Sequence, residues 1–88
     1  MKISRDYIIR EVAGEYVVVP TGAAAARFNG LITINGIGAF LWRMLQEETD
    51  EAGLLQAVLE EYETDEATAK ADIAQFLQVL EQNGILER

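Results

Sequence analysis

The chain has 88 residues, half of them apolar, and a formal net charge of −8. That content supports a compact core and excludes a disordered chain, and the length predicts one domain over residues 1–88. There is no cysteine and no histidine, which excludes disulfides and thiolate metal sites and removes the commonest general base.

The opening residues Met1-Lys2-Ile3-Ser4-Arg5-Asp6 are too polar for a secretory signal, and no apolar run reaches membrane-spanning length. A cytoplasmic location is the expectation. Two β-rich runs follow, Tyr7 to Val12 and Tyr16 to Val19, both dominated by β-branched and aromatic residues. Between them Gly14-Glu15 suits a type II′ turn, with glycine supplying the positive φ of the first central position. Pro20 ends the hairpin because it cannot donate to a ladder. Thr21 to Ala26 is a small-residue stretch, read as a loop or one helical turn. Leu31-Ile32-Thr33-Ile34 reads as a third strand.

Three helices are predicted after it. Asn35 is a good N-cap for the first, whose apolar positions Ile37, Phe40, Leu41, Met44 and Leu45 follow the amphipathic spacing. Thr49-Asp50-Glu51 starts the second, with Leu54, Leu55, Val58, Leu59 and Tyr62 as its stripe. Thr64-Asp65-Glu66 starts the third, which runs through Ala69, Ile73, Phe76, Leu77 and Leu80 and stops at Gly84 in a left-handed cap backed by Ile85. The fold class is therefore α+β: a three-stranded antiparallel sheet followed by three helices, similar to a winged helix-turn-helix. Trp42 is expected in the core against the sheet.

Charge divides the chain. Residues 1–44 sum to +2 and residues 45–88 to −10. A solvated acidic face explains this at its simplest, and steering of a basic partner is the functional alternative.

Residues spread along nearly the whole chain resemble the PqqD family, also called RiPP recognition elements. They are Ile9-Arg10-Glu11-Val12, Ile34-Asn35, Gly38-Ala39-Phe40-Leu41-Trp42, Glu61-Tyr62, Ala71-Asp72-Ile73, Phe76-Leu77, Leu80 and Asn83-Gly84-Ile85-Leu86. Gly36-Ile37 departs from the polar or proline-threonine pair often found there. The resemblance implies a leader-peptide-binding chaperone that presents a ribosomally synthesised precursor to a modifying enzyme. It points to a radical SAM protein as that enzyme, in coenzyme PQQ synthesis or another peptide pathway, and to no cofactor of the chain's own. It also implies where the leader adds: beside the third strand, in a groove walled by Leu31, Ile32, Thr33, Ile34 and by Asp72, Gln75, Phe76 and Val79.

The residues can support such docking. Leu31 to Ile34 has neither charge nor proline to block strand addition. An interior strand, or an edge covered by the alanine-rich stretch, is the simpler alternative. About four or five backbone hydrogen bonds contribute about 0.5–1.5 kcal/mol each. Ordering the peptide costs about 2–5 kcal/mol, and micromolar binding needs about 8 kcal/mol. Two or three apolar anchors of about 1.5–3 kcal/mol each close the gap, and Phe28, Leu31, Phe76 and Val79 are the candidates. Asp72 is expected either to pair with Arg43 or Lys70 or to contact a basic or hydroxyl group of the leader.

Other functions fit less well. Read as a DNA-recognition helix, the third helix offers Lys70 as its only cation against Asp65, Glu66, Asp72 and Glu81, so phosphate would be repelled. No nucleic acid partner is expected. Without histidine, cysteine, a glycine-rich phosphate loop or metal-ligand spacing, the chain is not expected to be an enzyme. A structural subunit of a maturation complex, or a homodimer joined through the open strand edge, remains the alternative to leader binding.

Overall fold

The structure is a computed structural model that describes residues 1–26 and 32–88. Strands β1 (Lys2–Ile3), β2 (Tyr7–Val12) and β3 (Glu15–Pro20) lead into a 3-10 turn over Gly22–Ala26. Then come strand β4 (Ile32–Ile34), helices α1 (Gly36–Met44), α2 (Glu51–Glu61) and α3 (Glu66–Gln82), and strand β5 (Leu86–Glu87). The main sheet is antiparallel in the order β2-β3-β4, and three helices follow it, as the α+β reading predicts.

The hairpin turn differs from the expectation. Val12 pairs with Glu15, so the loop residues are Ala13 and Gly14 rather than Gly14 and Glu15. Both have positive φ, 54° and 82°, which makes the turn type I′ instead of II′. The register sets Ile9 opposite Val18 and Tyr7 opposite Pro20, which takes in the whole of β3. A primed turn matches the strand twist, and Ala13 carries the cost of a left-handed conformation that glycine or asparagine would adopt more easily.

A second sheet was not foreseen. β1 and β5 pair antiparallel, Lys2 with Glu87 and Ile3 with Leu86, and so join the two ends of the chain. Two-residue strands carry too little periodicity to be read from sequence. The backbone N–H of Ile3 donates to Leu45 O at 2.9 Å and that of Ser4 to Ile85 O at 2.8 Å, tying this small sheet to the helices.

All three helices are capped by the residues the sequence offers. Asn35, Asp50 and Asp65 each accept a hydrogen bond from the backbone N–H three positions on, at 2.7, 2.8 and 2.7 Å. The α3 terminus is a Schellman cap: Gly84 at φ 69°, with Gly84 N–H donating to Glu81 O and Ile85 N–H to Leu80 O. Leu80 and Ile85 are both fully buried, the apolar contact this motif favours.

One apolar cluster joins these elements. Tyr7 and Val18 from the sheet meet Leu41, Trp42 and Leu45 of α1 and its C-cap, Leu54 and Val58 of α2, and Ala69, Ile73, Leu77 and Leu80 of α3. Trp42 is buried, as expected. The second-helix stripe is narrower than its pattern: Leu59 is 38% exposed and Tyr62 caps the helix, with its ring edge-on to Phe40 at 5.5 Å.

Candidate functional site

Strand β4 pairs with β3 through Ile34–Tyr16, Thr33–Val17 and Ile32–Val18. No strand among the described residues pairs with its other side. Only Asn35 separates β4 from α1, and the first turn of α1 lies against the strand at Gly38 and Ile34. α3 closes the other wall. The result is a cleft of about 200 Å³ lined by Thr33 and Ile34 of β4, Asn35, the α1 residues Ile37, Gly38 and Leu41, and Asp72, Gln75, Phe76 and Val79 of α3.

α3 can serve core and cleft together because it has two adjacent stripes. Ala69, Ile73, Leu77 and Leu80 are buried, while Asp72, Phe76 and Val79 each stand one residue before a member of that stripe, with Gln75 beside them on the same side. A shift of one residue rotates the stripe by about 100°, enough to turn it from the core to the cleft. Phe76 and Val79 are half-buried and Asp72 and Gln75 exposed, which gives an apolar wall with a polar rim.

Gly38 sets how closely the three elements meet. A Cβ there would lie 3.1 Å from Ile34 Cβ, 3.3 Å from Phe76 Cε1 and 3.3 Å from Asn35 Oδ1. The missing side chain lets strand, helix start and α3 converge around the cleft floor. Asn35 fixes the same junction through its cap on Gly38 N–H.

Of the residues singled out in the sequence, Thr33, Ile34, Asp72, Gln75, Phe76 and Val79 are brought together around the cleft. Ile32 is half-buried against the core cluster and does not line it. Phe28 and Leu31 lie outside the described residues. Neither expected ion-pair partner of Asp72 is engaged with it. Lys70 Nζ is 3.3 Å from Glu66, and the Arg43 guanidinium lies 5.8 Å from the centre of the Tyr16 ring. Asp72 therefore has no ion-pair partner among the described residues. Sequence reasoning missed the α1 wall of Asn35, Ile37, Gly38 and Leu41. The signal was the one-residue gap between strand and helix, which forces them into contact.

Chemically, the arrangement offers a strand edge that no described strand pairs with, an apolar slot beside it and one carboxylate at the rim. It can receive an extended chain, with hydrogen bonds along the backbone and a pocket for alternate side chains. Among the described residues no helix is long and apolar enough to cross a membrane, and no group of three or more carboxylates is placed to hold a metal ion.

The fold and site define a small α+β domain in which the β4 edge, paired with no other strand among the described residues, borders an apolar cleft. The family model described as Coenzyme PQQ synthesis protein D (PqqD) matches residues 15–86, and the chain belongs to that family. Among solved structures the fold is similar to that of TbiB1, determined in complex with the TbiA(beta) leader peptide. The two are 24% identical, the match covers 99% of this chain and 95% of that one, and the TM-score is 0.75. No curated protein matches the sequence.

Proposed function

We propose that this chain binds the leader segment of a ribosomally made precursor peptide and presents the precursor to a modifying enzyme. The carrying observation is the coincidence of a β4 edge that no strand among the described residues pairs with and a cleft of about 200 Å³ against α3. The leader adds as a strand on β4, and one or two of its apolar side chains enter the slot between Ile34, Phe76 and Val79. Asp72, without an ion-pair partner among the described residues, contacts a basic or hydroxyl group of the leader at the rim. That the similar fold of TbiB1 was solved with a leader peptide supports this use of the fold. The chain binds and orients; bond-making chemistry belongs to the partner enzyme, for which the family resemblance favours a radical SAM protein.

The acidic surface of α3 argues against the DNA-binding use of a winged helix. Its one cation, Lys70, is already paired with Glu66, and phosphate binding needs free positive charge.

The test is a titration of the ¹⁵N-labelled protein with a synthetic leader from the precursor gene nearest to this one. Expected are amide shifts confined to β4, the start of α1 and the cleft stripe of α3, with micromolar affinity. Absence of shifts at saturating peptide would refute leader binding and leave the scaffold role. Asp72→Asn separates the rim contact from a purely structural aspartate: weaker binding with reduced salt dependence supports contact, and unchanged binding removes it.

A further inference from the structure

We propose that the solvent-facing side of the main sheet is a second docking surface, taking a protein partner that presents apolar side chains around a carboxylate. This rests on the reading above in one respect: the partner it assigns is the modifying enzyme.

The strand register builds the surface. Directly paired residues share a face of a sheet, and the pairs Ile8–Val19, Arg10–Val17 and Val12–Glu15 alternate with the pairs that hold the buried Tyr7 and Val18. The outer face therefore carries Ile8, Val12, Val17 and Val19 around Arg10, with Glu15 at the hairpin end. Ile8 is 45% and Val12 57% exposed, and nothing among the described residues covers them. An antiparallel sheet with one solvated face ordinarily alternates apolar residues inward with polar residues outward. Here the outward positions of β2 and β3 are mainly apolar, the pattern of a face that meets another surface.

Charge selects the occupant. Arg10 stands midway along the outer strand β2 on this face, opposite Val17, and has no ion-pair partner among the described residues, within a half of the chain that sums to +2 in a molecule of net charge −8. A partner carboxylate seated there would be paired and shielded by the surrounding valines and isoleucine. The placement also suits presentation. Thr33 of β4 lies opposite Val17, so this face continues directly to the edge on which the leader would add. An enzyme docked here sits beside the emerging precursor.

The experiment uses the maturation enzyme encoded beside this chain's gene, with its binding measured by interferometry against wild type, Ile8→Asp, Arg10→Glu and Val12→Asp. Leader affinity is measured separately by fluorescence anisotropy, and thermal melts confirm folding. Expected is a loss of enzyme affinity of about tenfold or more in each variant, the scale of a hot-spot loss, with leader affinity unchanged and Val12→Ile behaving as wild type. The proposal is overturned if the enzyme binds the variants as tightly as wild type, or does not bind wild type at all. It is equally overturned if the substitutions alter only the oligomeric state, which would make the face a self-interface. Failure of the leader to bind wild type would sink the leader reading alone, since the enzyme measurement decides the sheet face by itself.

Discussion

Replacing Gly38 by alanine tests whether close approach at the cleft floor shapes the site. The added methyl would stand 3.1 Å from Ile34 Cβ and 3.3 Å from Phe76 Cε1, whereas carbons rest at about 3.5–4.0 Å. Each neighbour must retreat by a few tenths of an ångström. Phe76 can swing on its side chain, but Ile34 Cβ moves only with its strand. Alanine gains about 0.5–1 kcal/mol over glycine in a helix, against about 1–3 kcal/mol for overpacking. The balance is a net loss of about 1 kcal/mol, or roughly 4–8 °C in Tm for a domain of this size. Because the displaced atoms line the cleft, leader affinity should also fall by about tenfold, equivalent to about 1.4 kcal/mol. Urea unfolding and fluorescence anisotropy with a leader peptide measure the two effects. If Gly38→Ala gains stability by the full helical increment and binds leader as wild type does, the packing argument is wrong.

Further expectations follow from particular residues. Phe76→Ala should lower leader affinity by about 1.5–3 kcal/mol with a smaller effect on stability. Leu77→Ala, one position along and buried, should cost about 2–5 kcal/mol of stability while the folded fraction binds leader normally; paired unfolding and binding curves distinguish them. Ala13→Asn should stabilise by up to about 1 kcal/mol, since asparagine tolerates the left-handed conformation that alanine adopts at φ 54°, and a higher urea midpoint is the readout. The Asp65 carboxyl is held below its ordinary pKa, chiefly by the hydrogen bond from Thr68 N–H. Folding favours its ionised form, so the cap contributes above the unfolded-state pKa and is lost as pH falls through the lower folded-state value. Amide exchange at residues 66–68 should accelerate over that acid range in the wild type, and Asp65→Asn should flatten the dependence.

What the sequence determined was local. β-branched and aromatic content located β2 and β3, amphipathic spacing located the three helices, and Asn35, Asp50, Asp65 and Gly84 marked the helix ends, because caps and amphipathic stripes are satisfied by residues a few positions apart. The α3 wall of the cleft was legible for the same reason, once the family resemblance had drawn attention to Asp72, Gln75, Phe76 and Val79. Tertiary structure decided the rest. The pairing of β1 with β5 spans the whole chain, and nothing in two residues announces a partner over eighty positions away. The type I′ turn was settled by the register of the hairpin, which outweighed the preference of Ala13. The one-residue gap brings α1 against β4, but how closely α3 approaches them at Gly38 is set by packing between distant segments.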